Sequence, residues 1–150
     1  MPQIKKILCA VDLSEHSKTV AEYAIMLAKG MNAEITILYT APSLSQYVGF
    51  HVPPSSIENF VGEIVTGAEQ SMNEFIAEVF AHADVKVQGK ILSGYAAQEI
   101  LRYANTSEMD IIVMGTHGRT GIDKMLFGSV AEKVVKAAEI PVMTIRPVNG

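Results

Sequence analysis

The sequence holds a single cysteine in 150 residues. Cys9 alone makes an intramolecular disulfide impossible, and nothing then points to an oxidising compartment. Set in the apolar run Ile7-Leu8-Cys9-Ala10-Val11, it reads as a buried, unreactive thiol. An excess of positive charge is also missing: 12 Lys and Arg stand against 16 Asp and Glu, a net charge of −4 with a sequence pI near 5.5. That is the wrong sign for general nucleic-acid binding or for an anionic membrane surface. Long apolar runs are absent. The longest covers residues 23–28, far short of the roughly 18–20 residues that cross a bilayer. The opening has a basic pair before an apolar stretch, but Asp12 cuts it short and no small-residue cleavage site follows, so the reading is a cytoplasmic protein.

Several ready-made chemistries lose their main support in the same way. No G-x-x-x-x-G-K-[ST] occurs, because the fifth position after Gly118 is Asp123, and no G-x-G-x-x-G follows the first predicted strand. There is no G-x-S-x-G elbow for a serine hydrolase. His16, His51, His82 and His117 lack H-x-x-x-H spacing and no C-x-x-C exists, so no dedicated transition-metal site is indicated.

What remains is a globular composition, 49% hydrophobic and 19% charged, in a length suited to one domain over residues 1–150. Residues 4–11 are apolar on nearly every position after the lysines, as in a strand covered on both faces. Ser14 is placed to cap a helix carrying Val20, Ala21, Ala24, Ile25 and Ala28, with Gly30 ending it. Residues 34–39 form a second buried strand, parallel to the first through a right-handed crossover. Residues 40–55 gather Pro42, Gly49, Pro53 and Pro54 and read as a plain exposed loop, with Tyr47 and Phe50 giving a lid as the alternative. The capping box Ser55-Ser56-Ile57-Glu58 opens a long helix striped by Phe60, Val61, Ile64, Val65, Ala68, Met72, Phe75, Ile76 and Val79. A third strand is expected at 85–92, a helix at 95–105, a strand at 110–114, a helix from about Gly128, and a last strand at 141–145. This alternation gives a doubly wound α/β domain with five parallel strands and helices on both faces.

In such sheets ligands sit beyond the carboxyl ends of strands, near the reversal of strand order. The segment Gly115-Thr116-His117-Gly118-Arg119-Thr120-Gly121, with Gly128-Ser129 opening the next helix, suits a phosphate cradle. Glycine lets a backbone approach an anion, and the free N–H groups of a helix start point at negative charge. Residues 115–136 carry four basic and two acidic side chains, +2 within a chain of −4. The plainer reading is a glycine-rich strand-to-helix connection beside a solvated helix face. Asp12, at the end of the first strand, suits Mg²⁺ or a ribose hydroxyl as well as a capping role. Asp12 and His117 are the only candidate general bases near this loop, and neither has a visible orienting partner. No catalytic residue is therefore assigned.

At these residues the sequence resembles the universal stress protein family, whose ATP-binding members carry G-x2-G-x9-G-[ST]. Gly115, Gly118, Gly128 and Ser129 match that spacing in full. The likeness extends to the opening Ile7-Leu8-Cys9-Ala10-Val11-Asp12-Leu13-Ser14 and the closing Ile140-Pro141-Val142 with Arg146-Pro147. Some relatives carry Pro where Ala10 stands. The resemblance implies a sheet of order 3-2-1-4-5 with ATP across the ends of the first and fourth strands, and the Mg²⁺ that Asp12 suits would accompany that ATP. Ala10, Val11 and Asp12 would border the nucleoside, Thr40 would meet the adenine, and Met114 would line the same pocket. Gly115, Gly118, Gly128, Ser129 and Val130 would wrap ribose and phosphates, with Arg119 as a further phosphate contact. It also implies an antiparallel homodimer through residues 142–145, in keeping with an apolar edge strand. Pro141 and Arg146-Pro147 blunting that edge in a monomer is the alternative. The expected function is a regulatory ATP-binding stress-response protein read by a partner protein. A slow ATPase or nucleotide hydrolase and a nucleotide-free dimeric interaction module are the competing readings.

Overall fold

The computed structural model describes residues 1–41, 54–116 and 124–146. Its elements alternate: β1 (Lys6–Ala10), α1 (His16–Met31), β2 (Glu34–Ala41), α2 (Pro54–Val79), β3 (Val87–Ser93), α3 (Ala96–Thr106), β4 (Ile111–Gly115), α4 (Lys124–Ala137) and β5 (Val142–Ile145). All five strands are parallel in the order β3-β2-β1-β4-β5. The expected architecture is thus present, with β1 central and β5 at one edge.

The double winding shows in the alternation along β1. Ile7 and Cys9 join one core with Val20, Ala21 and Ala24 of α1 and Met72 of α2. Leu8 and Ala10 join a second core with Ile100 and Ala104 of α3 and Ala131 and Val134 of α4. Successive side chains point to opposite faces, so a strand with helices above and below has no polar positions to offer. Ile7, Leu8 and Cys9 are wholly buried, and burial pushes the Cys9 thiol up to about 12. The start of β1 is clamped by Asp110, whose Oδ2 accepts the backbone N–H groups of Lys5 and Lys6, each at 2.8 Å. Gly89 on β3 is required by close approach: a Cβ there would lie 2.7 Å from Cγ of Met72 on α2.

Several boundaries differ from expectation for local reasons. Ser14 does not cap α1. Leu13 takes a left-handed φ of 61°, and the turn lets Asp12 Oδ1 accept the Ser14 N–H at 3.0 Å and the Ser17 hydroxyl at 3.1 Å. The helix ends at Asn32 (φ 55°) rather than Gly30, since asparagine also tolerates the left-handed conformation. The second helix starts at Pro54, whose fixed φ suits a first helical position, which puts Ser55 inside the first turn. The fourth begins at Lys124, one turn before Gly128, because Lys, Met and Leu are good helix formers. Among the described residues no helix is long and apolar enough to cross a membrane. Residues 42–53, which hold most of the 40–55 loop, lie outside the described residues.

Candidate functional site

From β1 the chain winds through β2 to β3, then crosses back to β4 and on to β5, so strand order reverses between β1 and β4. Ala10, last residue of β1, is in register with Met114 on one side and Leu38 on the other. Beyond it a cavity of about 220 Å³ opens on the second-core face. Ala10, Val11, Leu38, Ala96 and Ile100 give it apolar walls, and Asp12 and Thr40 are its polar lining, beside Tyr39.

Three side-chain oxygens at this end of the sheet are buried and lack a hydrogen-bond partner among the described residues: Asp12 Oδ2, Ser14 Oγ and Thr40 Oγ1. Leaving such a group unsatisfied costs about 1–3 kcal/mol, and two of the three belong to residues that line the cavity. Asp12 divides its work: Oδ1 holds the turn into α1 while Oδ2 is left over. The first turn of α3 also borders the cavity at Ala96, and its cap residue Tyr95 makes no side-chain capping bond. Larger cavities, of about 540 and 690 Å³, open elsewhere on the molecule, but none is lined by one of these orphaned oxygens.

The sequence-expected residues divide into three groups. Ala10, Val11, Asp12 and Thr40 meet in one cavity. Met114 is fully buried in the second core and Gly115 is buried beside Ile145, so both back the site from β4. Gly128, Ser129 and Val130 lie in the second turn of α4, where a Cβ on Gly128 would stand 3.6 Å from the Thr116 carbonyl oxygen, tying that turn to the end of β4. The unsatisfied amide groups of a helix belong to its first turn, here 124–127, so Gly128 and Ser129 do not open the helix. His117, Gly118 and Arg119 lie outside the described residues. Leu38, Ala96 and Ile100 were not expected at the site. The signal for them was the strand alternation that puts Leu38 on the face of Ala10, and the apolar face of α3.

An open parallel sheet, doubly wound, with orphaned polar atoms where strand order reverses, defines the class of α/β proteins that take their ligands at this crevice. Within that class the model of the universal stress protein family matches residues 3–146. Universal stress protein MJ0531 of Methanocaldococcus jannaschii is 34% identical over 142 residues, covering 95% of this chain and 82% of its own. The chain belongs to the universal stress protein family. Among solved structures, protein MJ0577, a universal stress protein of the same organism, superposes with a TM-score of 0.83 at 26% identity over 99% of both chains. A universal stress protein in complex with cAMP and one from Archaeoglobus fulgidus in complex with dAMP share the fold, with TM-scores of 0.68 and 0.67 at 17% identity. They cover 96% and 97% of this chain, and 98% and 99% of their own.

Proposed function

We propose that this chain holds an adenine nucleotide, ATP with Mg²⁺, in the crevice beyond β1 and β4, and acts as a regulatory stress-response protein rather than as an enzyme. The observation that carries this reading is the pair of orphaned oxygens, Asp12 Oδ2 and Thr40 Oγ1, lining a cavity at the reversal of strand order. Relatives of the same fold in complex with cAMP and dAMP support the choice of nucleotide.

In this reading Ala10 and Val11 border the nucleoside. Asp12 Oδ2 accepts a ribose hydroxyl or binds Mg²⁺, Thr40 meets the base, and Met114 backs the pocket. Gly115, Gly118, Gly128, Ser129 and Val130 serve ribose and phosphates, with Arg119 as a further phosphate contact. The amides of Gly128 to Val130 come free only if the first turn of α4, residues 124–127, opens on binding. ATP and Mg²⁺ would then stabilise the state whose surface a partner protein reads, by their difference in affinity for the two states. A second copy would pair through the edge of β5 as a homodimer in the cytoplasm.

Calorimetric titration of nucleotide-free protein with ATP and Mg²⁺, followed by a phosphate-release assay on the same sample, tests the reading. Saturable binding with negligible release is expected, and Gly118→Val is expected to abolish it, because a β-branched residue opposes positive φ and intrudes on the phosphate space. No binding by the parent protein refutes the assignment. Rapid release puts the hydrolase first.

A further inference from the structure

Two polar residues are buried among the described ones, Ser17 at 2% exposure and Thr36 at 4%. Thr36 has a task in the sheet: Gln88 Nε2 donates to its hydroxyl oxygen at 3.2 Å, joining β2 to β3. Ser17 stands in the buried stripe of α1 with Val20, Ala21, Ala24 and Ala28, a row whose other members are apolar and where alanine would fit. A hydroxyl in such a place is tolerated when it is hydrogen-bonded, and its partner is Asp12 Oδ1, at 3.1 Å. The bond satisfies no helix amide, since the Ser17 N–H donates to the Ser14 carbonyl at 3.0 Å.

Asp12 sits just past the end of β1, where both faces of the sheet can be reached. α1 packs on one face, with Ile7 and Cys9; the cavity that Asp12 lines opens on the other, against Leu38, Ala96 and Ile100. Two donors from the α1 side reach the same oxygen, the Ser14 N–H at 3.0 Å and the Ser17 hydroxyl at 3.1 Å. The terminal torsion of an aspartate is broad and roughly two-fold, so a carboxylate held by one donor can turn and exchange its oxygens. Here one donor lies in the turn set by Leu13 at φ 61° and the other in the helix. Together they fix the plane of the carboxylate and commit Oδ1. Oδ2, buried and without a partner among the described residues, is the oxygen left for a ligand. An ionised carboxylate oxygen only accepts, so the group that meets it is a donor or a cation.

We infer, resting on the nucleotide reading of this crevice, that Ser17 is a positioning residue of the site: acting through Asp12, its hydroxyl holds Oδ1 and reserves Oδ2 for a hydroxyl of the bound sugar. Ser17 touches no ligand itself. It preorganises the carboxylate, which binding would otherwise have to order. The apolar walls of the cavity suit a sugar hydroxyl better than Mg²⁺, which keeps several of its waters.

The test is calorimetric titration of the full chain, parent and Ser17→Ala, with ATP, 2′-deoxy-ATP and 3′-deoxy-ATP, all with Mg²⁺. The variant should melt close to the parent, since the Ser14 N–H still bonds Oδ1 and alanine is the better helix former. Its affinity for ATP should fall about three- to tenfold, a coupling typical of residues in one hydrogen-bond network. The loss should be absent for the analogue that lacks the hydroxyl held by Oδ2, because Ser17 then has nothing to position. The contrast between nucleotides is internal to each protein, so a lower melting temperature does not blunt it. An equal loss for all three nucleotides, or no loss for ATP, overturns the inference. Should the parent bind none of them, the nucleotide reading fails and Ser17 is judged without ligand, by the NMR coupling across the hydrogen bond between Ser14 ¹⁵N and Asp12 ¹³Cγ. That coupling should fall in Ser17→Ala if the hydroxyl holds the carboxylate, and an undiminished coupling overturns the positioning role.

Discussion

Replacing Thr40 by valine separates the stability of the free protein from its affinity for ligand, because the two should move in opposite directions. The Thr40 hydroxyl is buried and unpartnered among the described residues, and an unsatisfied buried group costs about 1–3 kcal/mol. Valine keeps the shape and removes the polar atom. Taking the low end, since water entering the cavity recovers part of the cost, the free variant should gain about 1 kcal/mol. For a chain of this length that raises the melting temperature by about 2–4 °C. A nucleotide that used the hydroxyl would lose one hydrogen bond, about 0.5–1.5 kcal/mol, or roughly two- to twelvefold in Kd. Thermal melts with and without ATP, together with calorimetric titration, measure both quantities. Thr40→Ala is the control for packing: it also removes the methyl group, so its void should lower the melting temperature. A valine variant that melts lower than the parent and binds ATP equally well would show that the hydroxyl is satisfied without ligand and plays no part in recognition.

Asp110→Ala removes the acceptor of two backbone N–H groups at the start of the central strand and should cost about 2 kcal/mol in urea unfolding, with Asp110→Asn milder; an unchanged midpoint would show the clamp to be idle. Gly67→Ala adds a methyl group into open space on the exposed side of α2 and should stabilise by about 0.5–1 kcal/mol, read from the same curves. With its thiol pushed up to about 12 and wholly buried, Cys9 should react with an aromatic disulfide reagent at pH 8 only as fast as the chain unfolds. Stoichiometric labelling of the native protein within minutes would contradict that burial.

The layers were legible because burial on both faces leaves a run such as Ile7 to Ala10 no alternative to a central strand, and the apolar period of α2 could not be mistaken. Asp12 was legible as a polar residue at the end of the first strand, where the cavity opens. Its division into one structural and one orphaned oxygen was not, because that depends on Leu13 adopting a left-handed φ, which leucine rarely does. The same turn removed Ser14 from the cap that its residue type suggested. Asn32 took the helix end from Gly30 because either residue can enter the left-handed region and tertiary context chose between them. Strand alternation puts Leu38 on the face of Ala10, but its meeting with Ala96 and Ile100 depends on the packing of α3 on β2, a contact between segments far apart in sequence.

The Asp110 clamp joins residues 105 positions apart in the chain, and β1 acquires its second neighbour only when β4 exists. On a ribosome, β1, β2 and β3 with α1 and α2 can therefore assemble first, covered on one face only. Leu8, Ala10 and Leu38 on the other face, and the whole open edge of β1, must wait for α3, β4 and α4 to be synthesised. For that interval the central strand of the protein is an unprotected template. Slowing synthesis between β3 and β4 should therefore raise its aggregation more than slowing it after β5.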